Sequence, residues 1–368
     1  MKPSHICVMA YFFLIACENC RHFIGIAMKI CFVMYPWDKV EAENDSTLRL
    51  IHEAASRGHT VAITTPSNLT MRDSMAIAFC NVLKKGDVSN NIPSFYRKAE
   101  FNKAELPLAG FDVIFMRANP PLDTMALNFL DSVREHTFII NDIDGLRVAN
   151  NKLYTASLPD PNHEFIPATH VSKNREYLER VLEESTQERM ILKPLNGYGG
   201  KGVILVEKSA KSSVKSLLDF YIGDDENYVI LQDYIEGAEQ GDVRILVLNG
   251  EPIGAMRRVP AEGDVRSNIH AGGREVKHTL TKQELDLCKH IGPKLVRDGL
   301  YFVGLDVING KLVEVNVLSP GGITRINRLN RVKLQRNVLD FAESVVMAKE
   351  IGIARKNDFR KVIADAAY

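Results

Sequence analysis

Two apolar runs joined by Asn-Gly constrain this chain more than any other feature. In Val303-Gly304-Leu305-Asp306-Val307-Ile308-Asn309-Gly310-Lys311-Leu312-Val313-Glu314-Val315-Asn316, the Asn-Gly pair readily supplies two left-handed residues in succession, so the segment turns back on itself as a β-hairpin. Inside its strands stand two carboxylates and a carboxamide, groups that are costly to bury without a partner. Glu314 and Asn316 are two apart and share a strand face. Asp306 joins them only if the loop holds an odd number of residues, because Ile308 opposite Lys311 in a regular ladder would turn Asp306 away from Glu314. Convergence of the three donors therefore predicts a three-residue loop, Ile308-Asn309-Gly310, with Gly310 left-handed in a bulge. Hard oxygen donors of this kind suit Mg²⁺, with Mn²⁺ as the alternative. Neutralisation by internal Arg or Lys is the other use such carboxylates find.

Upstream, Gly197-Tyr198-Gly199-Gly200-Lys201-Gly202 follows the apolar run Met190 to Pro194. Glycine-rich backbone leaving a strand can wrap phosphate oxygens with its amides. The stretch is neither a P-loop nor a GxGxxG fingerprint, and alone it reads equally as a flexible hairpin loop. Lys193, at the end of that run, and Lys152, in Asn150-Asn151-Lys152, add the two cations of a phosphate clamp. A solvated surface lysine is the plainer reading of Lys152, less so of Lys193 inside its apolar strand. Ser319-Pro320-Gly321-Gly322-Ile323 leads into a helix expected from about Arg325, so its amides and hydroxyl suit a carboxylate or acyl phosphate, or form a plain turn. The polar stretch Pro260 to Arg274, with Arg258 before it and Arg266, Asn268, Gly272, Gly273 and Arg274 in or near it, has the length of an active-site lid or of a disordered surface loop.

From Lys29 the pattern is strand, helix over Ser46 to Arg57, stop at Gly58, and strand over Thr60 to Thr64, a βαβ unit. A further strand, Phe111 to Met116, ends in Arg117 before Pro120-Pro121, and Phe138 to Ile140 closes the pattern. Residues 29–145 thus read as an open parallel α/β domain with ligands at the carboxyl ends of its strands. Later strands fall in neighbouring pairs, as antiparallel sheet requires, with Asn249-Gly250 and Asn309-Gly310 as turns. They divide into subdomains over 146–235 and 236–348, followed by a short basic tail over 349–368. Lys+Arg and Asp+Glu number 46 each, so no overall field draws the chain to nucleic acid or an anionic membrane, and a small-molecule substrate is expected. Six cysteines with one close pair, Cys17 and Cys20, lack the second pair or His cluster of a zinc site and fit reduced thiols in the cytoplasm. Residues 1–27 stand apart: the apolar run Ile6 to Ala16 is too short to span a bilayer, Leu14-Ile15-Ala16-Cys17 resembles a lipoprotein cleavage box, and a second start reads at Met28. The segment is expected to be a signal-like extension or a mis-assigned start.

Taken together, Ile191 to Gly200, the Asp306/Glu314/Asn316 set and Arg266-Ser267-Asn268-Ile269-His270-Ala271-Gly272-Gly273-Arg274 resemble prokaryotic glutathione synthetase, an ATP-grasp ligase. The likeness runs from about Met28 to Val346 and includes Asp45-Ser46, Met116-Arg117 and Gly241-Asp242-Val243-Arg244. It implies an ATP-grasp architecture, with the open α/β domain followed by two α+β subdomains that hold ATP between them. It further implies that Lys152 and Lys193 bind ATP phosphates under the loop of Gly199, Gly200 and Gly202, that Gln232, Asp233, Tyr234 and Ile235 line the adenine, and that Asp242 lies near ribose or phosphates. Asp306, Glu314 and Asn316 would hold magnesium, and Arg258, Arg266, Arg274 and Ser319 would serve catalysis. Asp45, Ser46, Arg117, Arg244, Asn268, Gly272, Gly273, Gly321 and Gly322 would meet the substrates. The reaction so implied phosphorylates the carboxylate of γ-glutamylcysteine with ATP and lets the amine of glycine displace the phosphate, in a cytoplasmic homo-oligomer. No protein nucleophile is required, in keeping with the Lys, Arg and carboxylate character of the candidates. After Ser319-Pro320 the family carries a bulkier pair; Gly321-Gly322 resembles the ending of glutamate-adding ligases of the same superfamily. Another ATP-grasp carboxylate-amine ligase, of glutamate-adding or dipeptide type, is therefore the alternative, and a non-catalytic nucleotide-binding regulatory protein the alternative of another class.

Overall fold

The computed structural model describes residues 27–196, 202–224, 226–260 and 273–365; the amino-terminal extension, Gly199, Gly200, Arg266, Asn268 and Gly272 lie outside them. Two compact units result, one of residues up to Ile143 with those from Lys333 onward, the other Asp144–Val332.

In the first unit, β1 (Lys29–Met34) is buried at five of its six positions, the near-continuous apolar run of a strand covered on both faces. It lies parallel to β2 (Thr60–Thr64) on one side and β6 (Val113–Arg117) on the other, and β7 (Phe138–Ile140) continues beside β6. Beyond β2 the sheet turns antiparallel through β3 (Leu69–Arg72), β4 (Met75–Leu83) and β5 (Phe101–Pro107), so the parallel core read from sequence carries an added meander. Helix α1 (Ser46–Ser56) begins where the Asp45 carboxylate accepts the Leu48 amide at 2.7 Å, and buries Leu48, Leu50, Ile51 and Ala54. Helices α2 (Ile92–Lys98) and α3 (Thr124–Asp131) follow. The chain returns to this unit as α10 (Leu334–Asp365), whose first half buries Leu334, Val338, Leu339 and Phe341. Residues read as a basic tail from 349 are the exposed second half of this helix, rich in the straight-chain residues and alanine that favour helix. No described helix is long and apolar enough to cross a membrane.

The second unit opens within α4 (Ile143–Ala149), continues through α5 (Leu153–Ala156) and contains two antiparallel sheets. One has the order β10-β9-β11-β8, from β8 (Thr169–Ser172), β9 (Arg189–Pro194), β10 (Ile204–Glu207) and β11 (Val229–Asp233). Helices α6 (Arg175–Glu184) and α7 (Lys211–Ile222) pack Leu178, Leu182, Val214 and Leu218 against its Met190, Leu192 and Leu231. The other is β14-β13-β12-β15-β16, from β12 (Asp242–Leu248), β13 (Glu251–Val259), β14 (Arg274–Lys277), β15 (Phe302–Ile308) and β16 (Lys311–Asn316). Between β14 and β15 runs α8 (Lys282–Arg297), with Leu287, Ile291 and Leu295 buried, and α9 (Ile323–Asn330) follows β16.

Asn249-Gly250 and Asn309-Gly310 both form two-residue turns with positive φ, 49° and 85° in the first and 45° and 75° in the second. Gly310 is thus left-handed as expected, but the three-residue loop is not formed, since Ile308 pairs with Lys311. Parity is restored inside β16: Val307 faces Leu312 while Asp306 faces Glu314, leaving Val313 as a bulged extra residue. The Asn-Gly pair keeps its preferred turn, and the strand absorbs the odd residue.

Candidate functional site

Lys193 lies on β9 and is only 5% exposed. Its ammonium donates to Gln232 Oε1 on β11 at 2.9 Å, and Gln232 Nε2 donates to Thr169 Oγ1 on β8 at 2.7 Å. Burial pushes the Lys193 ammonium down to about 8; nearby Lys152 adds to that and Glu314 opposes it. Lys152 stands at the start of α5, and the Thr155 hydroxyl of that helix accepts the Val315 amide at 3.2 Å from the outer edge of β16. This edge contact sets Lys152 beside Glu314, with 3.3 Å between Nζ and Oε1. Lys152, Lys193 and Glu314, drawn from three elements, are therefore neighbours. Gly202 has φ of 72°, and a Cβ there would approach the Pro194 ring to 3.2 Å, so this position before β10 favours glycine.

The second sheet gathers its charged groups on one face. Asp242 pairs with Arg258 and Arg244 with Asp306 across neighbouring strands, and Asp306 in turn with Glu314. Arg258 holds Asp242 through both carboxylate oxygens at 2.6 and 2.7 Å and reaches Asp306 at 2.9 Å. Arg244 holds Asp306 at 2.5 and 3.0 Å and donates to the Gly321 carbonyl at 3.2 Å, and Asn316 Nδ2 donates to Asp306 at 3.1 Å. Burial would raise the Asp306 carboxyl, but Arg244 and Arg258 outweigh it and hold the group at about 2. Asp306 is thus ionised and, in this structure, internally paired. The donor set fits a hard divalent cation: one carboxylate held ionised, a second carboxylate directly opposite, and a carboxamide on the same face, all oxygen donors.

Other expected residues fall elsewhere. Arg274 begins β14 opposite Val259, so it shares the face of Val259 and not that of Arg258, and it is exposed. Gly273 precedes it, outside the strand. Ser319 is half-buried, Gly321 is exposed, and Gly322 caps α9 with φ of 128°. Gln232 spends both ends of its amide on Lys193 and Thr169, so its side chain serves the lysine more directly than an adenine. Asp233 and Tyr234 lie at and just past the end of β11, the Tyr234 ring 4.2 Å from the Arg189 guanidinium, and Ile235 follows. In the first unit, Asp45 caps α1 and accepts the Tyr35 hydroxyl, Ser46 is buried, and Arg117 donates to Thr47 Oγ1 at 3.0 Å from the carboxyl end of β6. That group sits where β1 meets β2 on one side and β6 on the other, the switch point at which open α/β sheets take ligands.

The model of the N-terminal domain of prokaryotic glutathione synthetase matches residues 28–147, and that of its ATP-grasp domain matches residues 151–331. The chain belongs to the prokaryotic glutathione synthetase family. A glutathione synthetase of Gloeobacter violaceus is 36% identical over 323 residues, 85% of this chain and 96% of its own length. One from a Synechocystis strain is 33% identical over 86% of this chain and 99% of its length. Among solved structures, D-cycloserine synthetase shares the fold with a TM-score of 0.57 at 14% identity, covering 86% of this chain and 99% of that one. An ATP-grasp ligase of Chryseobacterium gregarium does so with 0.56 at 14% identity, covering 87% and 96%. All glutathione synthetase candidates of the second unit fall within the matched ATP-grasp domain, and Asp45, Ser46 and Arg117 within the N-terminal one. Sequence reading missed Thr169, Thr155 and Tyr35; each is a lone hydroxyl in no motif, and only its partner shows what it does.

Proposed function

We propose that this chain makes glutathione, joining the carboxylate of γ-glutamylcysteine to the amine of glycine with conversion of ATP to ADP and phosphate. The observation that carries this reading is the meeting of Lys152, Lys193 and Glu314, beside the face that holds Asp306 and Asn316, inside the matched ATP-grasp domain. Two lysines neutralise phosphate oxygens as charge moves between them. Asp306, Glu314 and Asn316 would hold Mg²⁺, which when bound adds Lewis-acid polarisation of the transferring phosphoryl group. Arg244 and Arg258, already fixed by Asp306 and Asp242, present rigid cations to an anionic substrate. The acyl phosphate formed at the substrate carboxylate is attacked by the amine, and the protein's task is placement and exclusion of water. The test is ADP release on supplying γ-glutamylcysteine, glycine and Mg-ATP together. Glutathione formed in step with ADP supports the reading; ADP released only with a different acid and amine overturns it.

A further inference from the structure

The three strands β9, β11 and β8 carry, side by side on one face, Lys193, Gln232 and Thr169. Thr169 is directly opposite Gln232 in the antiparallel register, and Lys193 is opposite Ile230, two residues before Gln232, so all three side chains leave the same face of the sheet. The hydrogen bonds between them have a direction that chemistry fixes. The Thr169 hydroxyl donates its single proton to the Pro167 carbonyl at 2.7 Å. It can then only accept from its other neighbour, and what it accepts is a proton of Gln232 Nε2 at 2.7 Å. With its nitrogen so engaged, Gln232 must turn its oxygen to the Lys193 ammonium, as observed at 2.9 Å. Were the amide reversed, its NH₂ would face the ammonium and leave a buried cation against a donor.

We infer that Thr169 is a positioning residue for the ATP-phosphate lysine: by committing its proton to Pro167 it orients the Gln232 amide, and the oriented amide oxygen holds the Lys193 ammonium where the nucleotide phosphates are to meet it. No motif contains Thr169, and it does not touch the nucleotide on this scheme. Lys193 is 5% exposed and Gln232 4%, so bulk water does not compete to orient either. The inference rests on Lys193 as a phosphate ligand, as proposed above.

Steady-state kinetics with ATP varied test it. Thr169→Val keeps the shape and removes the acceptor. It is expected to raise KM for ATP roughly tenfold, the effect of one hydrogen bond to a charged group, with kcat changed far less. Thr169→Ser restores the hydroxyl and should restore KM. The decisive arm is the Gln232→Glu background, where a carboxylate offers oxygen to Lys193 in either orientation and needs no guide. There Thr169→Val should leave KM nearly unchanged. An equal rise in both backgrounds, a wild-type KM in Thr169→Val, or no recovery in Thr169→Ser overturns the relay. Calorimetric binding of ATP to the unmutated protein separates this from failure of the underlying reading: no binding there overturns Lys193 as a phosphate ligand, whereas binding with Thr169→Val unaffected overturns Thr169 alone.

Discussion

At the scale of single residues, the site stores its charges in pairs. Lys152 leans on Glu314 at 3.3 Å, and Asp306 is shared between Arg244 and Arg258. Pairing lowers the cost of keeping buried groups ionised. Glu314→Gln removes the carboxylate that faces Lys152 at nearly unchanged shape. We expect turnover to fall by about 100-fold or more, with the melting temperature moved by only a few degrees. An activity near that of the unmutated protein would take Glu314 out of the site. The neighbouring glycines separate conformation from contact in the same way. A Cβ on Gly321 would meet nothing within 4 Å, whereas Gly322 has φ of 128°. Gly321→Ala should leave stability within about 0.5 kcal/mol, and Gly322→Ala should cost roughly 1–3 kcal/mol in denaturant unfolding. A costly Gly321→Ala would mean that the turn into α9 is more crowded than its geometry allows.

At the scale of elements, the hairpin β15–β16 shows how a strand absorbs one extra residue and keeps its polar groups on one face. The bulge at Val313 turns Glu314 and Asn316 to the face of Asp306. Deleting Val313 leaves Leu312 opposite Val307 and Glu314 opposite Asp306 in a regular ladder, so Mg-ATP binding measured by calorimetry should survive the deletion. Its loss would show that the bulge's twist, and not the facing alone, places the ligands. The same hairpin measures how far sequence reaches. Its strands, its Asn-Gly turn and the convergence of three donors are all legible in alternation and turn chemistry, but the position of the odd residue is not, because Val313 is as good a strand residue paired as bulged. The meander β3–β4–β5 is not legible in the sequence for a related reason: its first turn places Asp73 and Ser74 at φ of 48° and 63°, and Asp-Ser is a weak signal for that conformation beside Asn-Gly. The ends of strands β1, β2 and β7 are legible in the sequence because each is a short, mostly apolar run. Sequence offers internal Arg or Lys as neutralisers of Asp306 but does not say which arginine meets which carboxylate, since pairing across β12, β13 and β15 follows from register, which sequence specifies only through the assembled sheet.

At the scale of the whole molecule, the phosphate role proposed for Lys193 would tie nucleotide binding and folding to the same buried ammonium. An unfolded chain would protonate Lys193 with the ordinary lysine value of about 10.4, whereas burial brings it to about 8 in the fold. Below pH 8 both states carry the proton, and the fold bears the full cost of an ammonium out of water, on the order of 3 kcal/mol. Between pH 8 and that unfolded value the unfolded state binds more protons, so this contribution to stability rises with pH until the cost is gone. Phosphates placed against Lys193 favour the charged form and raise its value again, which offsets the cost through the ligand. Above pH 8, therefore, ATP must bring a proton with it: uptake should approach one proton per nucleotide, and affinity should weaken as pH rises. Isothermal calorimetry at pH 9 in buffers of different ionisation enthalpy measures this directly, since the observed heat then varies with the buffer in proportion to the protons taken up. At pH 6.5 Lys193 is protonated with or without nucleotide, and its share of that slope should vanish; a Lys193→Arg variant, always charged, should lose the pH 9 uptake while keeping a cation at the site. Uptake that persists in the arginine variant would assign the proton to another group and remove Lys193 as the link between phosphate binding and the stability of the fold.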